Sequence, residues 1–198
     1  KMKRIQTKAY NVKYRRYREG RTNYRHRIKL LSSSKTRVFV KRGLGNIVVQ
    51  FIQFDIKGDK TLLGVHSREL VKFGWKGHRG NMPSAYLTGY LCGLKAIKKN
   101  LKEGILDLGT SRVSAKTSLF AVVKGLKDAG INIACSEDAL PNDAFIAGKS
   151  IADYASKLSN NKDTYLKQFS KYLKEGVEPV KLHEHFESIK KKIGEKWQ

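Results

Sequence analysis

Beyond residue 35 the chain shows two hydrophobic periods in succession. TRVFVKR (36–42), NIVVQFIQF (46–54) and KTLLGVH (60–66) are rich in β-branched and aromatic residues, and the turn signals GLG (43–45) and KGD (57–59) part them. A three-stranded antiparallel meander is expected, because such short turns join antiparallel neighbours. Period two puts Arg37, Phe39 and Lys41 on one face of the first strand, with Val38 and Val40 on the other. The second strand is apolar on both faces, as suits a central strand.

The period then lengthens. SRELVKFG predicts a short helix after Ser67, followed by GWKGHRGN (74–81), a glycine-rich loop that carries Trp75, Lys76, His78 and Arg79. Asn81 is a natural cap for the next helix, and Pro83 falls in its first turn, where a missing N–H costs nothing. That helix, about 82–101, aligns Leu87, Leu91, Leu94 and Leu101. Gly89, Gly93 and Ala96 beside them are expected to let it approach a sheet closely. GILDLG (104–109) reads as a buried strand, 115–129 as a helix ended by Gly130, and INIAC (131–135) as the last strand. Strand, helix and strand in this order imply a right-handed parallel crossover. From about Asp143 the pattern is helical: FIAGKSIADYASKL, DTYLKQFSKYLKEG and VKLHEHFESIKKKI. The expected class is α/β, a three-layer α/β/α sandwich around a mixed sheet of about five strands. Its core would span residues 36–158, with a C-terminal helical extension over 159–198.

Residues 1–35 have almost no core-forming period. Only Ile28, Leu30 and Leu31 would pack, and SSSK (32–35) then punctuates the segment. It reads as an arm, helical around Asn23–Leu31 and ordered mainly by its partner. The charge sharpens this picture: the chain carries +24, and residues 1–42 hold sixteen of its 41 Lys/Arg but one of its 17 acids. Such self-repulsion calls for a polyanion, which leaves nucleic acid, an anionic membrane or an acidic protein as partner.

The densest part, YRRYREGRTNYRHRIKLL, interleaves Tyr14, Tyr17 and Tyr24 with Arg15, Arg16, Arg18, Arg21, Arg25, Arg27 and Lys29. Arginine offers a planar fork to phosphate and a flat face to bases, while tyrosine stacks and hydrogen-bonds. A membrane-surface helix would need Leu, Phe or Trp along one face, and this segment has little of that before Ile28. RNA is favoured over DNA by the stacking residues and by the lack of a helix-turn-helix or zinc-finger pattern.

Enzymatic chemistry finds little footing. TSRVSAKT (110–117) lacks the glycines of a phosphate-binding loop, with Thr110 and Ala115 in their places. His183 and His185 stand about 200° apart on a helix and cannot share one metal from one face. His66 and His78 have no evident catalytic partner. A metal-dependent nuclease of the ribonuclease-H type needs carboxylates converging at strand ends, and only Asp55 and Asp107 lie on or beside the expected strands. Cys92 and Cys135 have no CxxC spacing, so neither a disulfide framework nor a metal site is expected. No apolar run reaches the length of a membrane span, and the basic N-terminus has no apolar stretch behind it, so a cytosolic protein without cofactor is expected.

The arm, the segment KRGLGNIVVQ, the run GDKTLLGVHSRELVKFGWKGHRGNMPSAYLTGYLCG and GLKDAGI together resemble one family over residues 10–158. It is the universal large-subunit ribosomal protein family that binds 5S rRNA, L-eighteen in bacterial naming, in its archaeal form. The resemblance implies a non-enzymatic protein with a ribonuclease-H-like core lacking catalytic acids. It also implies 5S rRNA, large-subunit rRNA and neighbouring large-subunit ribosomal proteins as partners in the central protuberance, without membrane or small-molecule substrate. It adds Arg37, Lys41, Arg42, Asn46, Gln50, Arg68, Trp75, Lys76, His78 and Arg79 to the arm as RNA-contacting residues. A ribonuclease-H-like nuclease and a generic basic nucleic-acid binder stand as the alternatives.

Overall fold

A computed structural model of the protein describes residues 11–197. The described part of the arm forms two short helices, α1 (Arg15–Arg18) and α2 (Tyr24–Leu31). Asn23 caps α2, its side chain accepting from the His26 N–H at 3.1 Å. Then come β1 (Arg37–Arg42), β2 (Ile47–Gln53) and β3 (Lys60–His66), the expected meander, with a register irregularity between Phe51 and Ile52. SRELVKF forms the expected short helix, of 3-10 type (Ser67–Phe73). It is closed by a reciprocal cap in which His66 accepts from the following backbone and Glu69 reaches back to the His66 N–H.

α3 (Met82–Lys98) begins at Asn81 as expected, and Asn81 Oδ1 accepts from the Ser84 N–H at 3.0 Å. It leads to β4 (Glu103–Asp107), which pairs parallel with β1; α4 (Ser118–Asp128) then leads to the two-residue β5 (Asn132–Ile133), parallel to β4. The sheet order is β3-β2-β1-β4-β5, a mixed five-stranded sheet. Val38, Val40, Val49, Phe51 and Val65 are buried on the face that meets α3 and α4. The opposite face carries Arg37, Phe39, Lys41, Gln50 and Ile52, and against it lies the arm with α2.

Two expectations change. The small residues of α3 serve a helix and not the sheet: a methyl group at Gly89 would collide with the Val122 carbonyl, and one at Gly125 with the Tyr86 carbonyl. α3 and α4 therefore meet backbone to backbone at these glycines. The C-terminal residues are likewise more than an appendage. After α5 (Asp143–Ile146), α6 (Lys149–Leu158) and α7 (Lys162–Lys174), α8 (Leu182–Trp197) buries Leu182, Phe186, Ile189 and Ile193 in the same apolar core as Leu70, Trp75 and Tyr86. At about 1.5–3 kcal/mol for each such side chain, this stripe is a major part of core stability.

Candidate nucleic-acid interface

Strand alternation sends Arg37, Phe39 and Lys41 away from the helix-covered face. The register then sets Arg37 beside Ile52, Phe39 beside Gln50, and Lys41 beside Val48. The last row continues to His66 on β3. Because α3 and α4 pack elsewhere, this face remains open for the arm and for a partner.

The arm is held there by alternating charges. Arg27 of α2 donates from both terminal nitrogens to the two oxygens of Asp59, each at 2.8 Å. Arg37 donates to Asp59 at 2.5 Å and to Asp107 at 3.0 Å. Asp107 in turn accepts from the Gly109 N–H at 2.9 Å. Two arginines and two aspartates thus neutralise one another while joining α2, the β2–β3 turn, β1 and β4. Burial raises the acid range of Asp59, but hydrogen bonds from Arg27 and Arg37 outweigh it and hold the carboxyl below its ordinary value of 3.8. The hydrogen bond to Asp59, opposed by burial, holds Arg27 the more firmly protonated.

Arg37 was expected to face RNA and does not. It is 3% exposed and committed to two carboxylates. Trp75 is corrected in the same way: it is 2% exposed and its ring stacks on His185 at 5.1 Å. Both residues sit where a bulky side chain was needed inside, one as a buried ion, the other as core.

The other arm cations point outward. Arg15, Arg16, Arg18, Arg21, Arg25 and Lys29 are exposed, while Arg27 is half-buried. Glu19 pairs with Arg21 at 3.0 Å and with Arg15 at 3.5 Å, and Arg16 donates to Thr22 at 2.9 Å. Tyr14 is 75% exposed, with its ring 5.3 Å from that of the half-buried Tyr24. Tyr17 is exposed beneath the Lys13 ammonium. Arg16, Arg21 and Arg27 meet Lys41, Phe39 and Gln50 around one concavity of about 600 Å³ between arm and sheet. Residues 1–10 of the arm lie outside the described residues.

The remaining expected residues form a second cluster at the β1–β2 turn. Lys41, Arg42, Arg68, Lys76 and His78 are exposed, and Arg79 and Asn46 half-buried. Burial, then the charges of Lys171, Arg79 and Arg42, hold His78 below its ordinary 6.5; burial, Arg68 and Arg79 do the same for His66. The loop that carries Lys76, His78 and Arg79 is anchored from behind. The Lys76 N–H donates to His185 Nε2 at 3.2 Å, and the His78 N–H and Asn81 amide both donate to the Tyr172 hydroxyl, at 3.4 and 3.2 Å. The row Lys41, Val48, His66 runs along the open face toward this second cluster.

Sequence patterns did not single out Asp59, although a lone acid in the turn KGD of so basic a chain was a signal. Nor did they find Tyr172 and His185, whose partners lie about a hundred residues away. Among the described residues no three His, Cys, Asp or Glu are grouped to hold a metal ion, and Asp107, the acid at the end of β4, is engaged by Arg37. No helix among the described residues is long and apolar enough to cross a membrane.

Residues 8–104 match a known protein family, described as ribosomal large subunit proteins 60S L5 and 50S L18. The match spans the arm, the meander, the basic loop and α3, the segments that build both cationic clusters. A five-stranded α/β core with an outward-facing cationic arm thus takes its place as a component of the large ribosomal subunit: the chain belongs to the family of 60S L5 and 50S L18.

Proposed function

We propose that the protein binds 5S rRNA and anchors it to large-subunit rRNA in the central protuberance, as a structural and not a catalytic component. The observation that carries this reading is the arm's division of labour. Arg27 is spent on Asp59 to fix the arm on the sheet, while the other cations among residues 11–29 stay exposed around tyrosines. Phosphate contacts position such a protein on RNA, and aromatic and guanidinium planes take unstacked bases. Arg15, Arg16, Arg18, Arg21, Arg25 and Lys29 face the RNA with Tyr14, Tyr17 and Tyr24. Lys41, Arg42, Asn46, Gln50, Arg68, Lys76, His78 and Arg79 extend the surface across the open face to the β1–β2 turn.

The test is equilibrium binding of the full chain to 5S rRNA against tRNA at several salt concentrations. Preference for 5S rRNA is expected, with a log–log salt slope of about −6 to −7 if some eight phosphates are neutralised. Equal affinity for the two RNAs would sink the specific assignment and leave a generic polycation.

A further inference from the structure

The concavity between arm and sheet has a chemistry of its own, distinct from the exposed cations around it. Phe39 and Ile52, on adjacent strands, give it an apolar patch beside the Arg37–Asp107 pair. Gln50, the register partner of Phe39, lines the cavity too, its amide lying toward Gly64 of β3. Arg16, Arg21 and Lys41 line it as well, and Lys41 makes no ion pair among the described residues. Asp59 and Asp107 also face the cavity, their charges met by Arg27 and Arg37.

We propose that this cavity receives a single unpaired nucleotide of the bound RNA, its base against Phe39 and Ile52 with Gln50 at its edge, and its phosphate on Arg16, Arg21 and Lys41. The proposal rests on the RNA-binding reading above and adds a defined subsite to it. Three observations carry it. The volume, about 600 Å³, lies in the range of sites that enclose small ligands, about 300–1,000 Å³. A flat group with apolar faces and polar edges matches an apolar patch of Phe39 and Ile52 bordered by polar side chains, Gln50 among them. The charge is also directional: the carboxylates lie with the buried guanidinium of Arg37, whereas Lys41, Arg16 and Arg21 are exposed, Arg16 bonded only to Thr22 and Arg21 sharing its charge with Glu19. A phosphate is therefore repelled from the floor and drawn to the rim, so the nucleotide enters base first. A paired nucleotide cannot do this, because its base edge is occupied and its neighbours are stacked. The nucleotides of loops and bulges can, since their bases splay out onto aromatic side chains.

The experiment places a photoreactive p-benzoylphenylalanine at position 39 of the full chain, and in a second preparation at position 17 on the exposed arm. Each is irradiated with 5S rRNA, with a large-subunit rRNA fragment, or with adenosine monophosphate, and the attached nucleotide is mapped. The expected result is one dominant crosslink from position 39 to an unpaired nucleotide, and the RNA that gives it is the source. Crosslinks from position 17 alone would overturn the subsite and leave RNA binding intact. Crosslinks from neither position would overturn RNA binding and the subsite with it. Attachment of adenosine monophosphate but of neither RNA would overturn the claim that the nucleotide belongs to a bound RNA.

A second measurement avoids an altered core. Phe39→Leu keeps the apolar patch and removes the aromatic plane, and Gln50→Ala removes the amide. Phe39→Leu is expected to weaken RNA binding about tenfold, the scale of one lost base stack, and Gln50→Ala about fivefold, the scale of one neutral hydrogen bond, each with an unchanged salt slope because no phosphate contact is lost. Wild-type affinity in both variants would refute the assignment.

Discussion

Removing the carboxylate of Asp59 attacks the ion pair that ties α2 to the sheet. In Asp59→Ala, Arg27 loses both its hydrogen bonds and Arg37 keeps only Asp107. The two halves of the loss differ in weight. The Arg37 side chain is 4% exposed and Asp59 25%, and stripping one partner from a fully buried pair costs about 3–5 kcal/mol. Because Arg37 retains Asp107 and Asp59 is a quarter exposed, about half of the lower figure applies. Arg27, nearly a third exposed, adds at most about 0.5 kcal/mol after solvent screening. The sum is about 2 kcal/mol, which for a chain of this size lowers Tm by about 5 °C.

Thermal unfolding of the full chain near neutral pH, followed by circular dichroism, measures this directly. The pH dependence supplies a second reading. The folded Asp59 carboxyl titrates below its ordinary 3.8, so its contribution is complete above that value and disappears as pH falls through the folded pKa. The gap between wild type and Asp59→Ala should therefore close in acid. Asp55→Ala, which removes an exposed pair with Lys60, should leave Tm unchanged. A Tm for Asp59→Ala equal to that of Asp55→Ala, or a gap that persists undiminished into strong acid, would refute the anchoring of the arm by this carboxylate.

Deletion of residues 1–31 should leave the α/β core folded by circular dichroism and lower 5S rRNA affinity at least a hundredfold near physiological salt, as expected for the loss of several phosphate contacts; wild-type affinity would remove the arm from the interface. Gly89→Ala should destabilise by about 3 kcal/mol, because the new methyl meets the backbone carbonyl of Val122 and not a side chain that can turn aside; chemical denaturation reads the loss. His185 is held below its ordinary 6.5 by burial and then by Lys76 and Lys192, so stability is complete above that value and falls as pH drops through the folded pKa. His185→Gln should flatten that part of the pH profile of Tm, and an unaltered profile would show that another group controls it.

The meander, the parallel additions and the cap of α3 were legible because each rests on local chemistry: alternation in RVFVKR, glycine at turns, and Asn81 before Pro83. The exposed cations of the arm were legible for the same reason, since little in 11–29 could be buried. Arg37 was misread because period two gives the face of a residue but not what meets that face; its burial depends on Asp59 and Asp107, 22 and 70 residues away. Trp75 was misread because its cover is α8, more than a hundred residues later. The small residues of α3 announced a close approach, but composition alone does not say whether the neighbour is a strand or a helix.

The burial of α8 has a consequence for how the chain is made. Trp75 and Lys76 wait for His185, 109 residues beyond Lys76, and Leu70 and Tyr86 wait for the same helix. At synthesis rates of about 5–20 residues per second, the interval is on the order of 5–20 s. Throughout it the cationic arm is already outside, while the surface α8 will cover is still bare. A nascent chain of this kind offers a polyanion its binding surface before the core is closed, so RNA present at that moment meets an unfinished protein. Docking of α8 then closes the core behind an arm whose cations are already exposed.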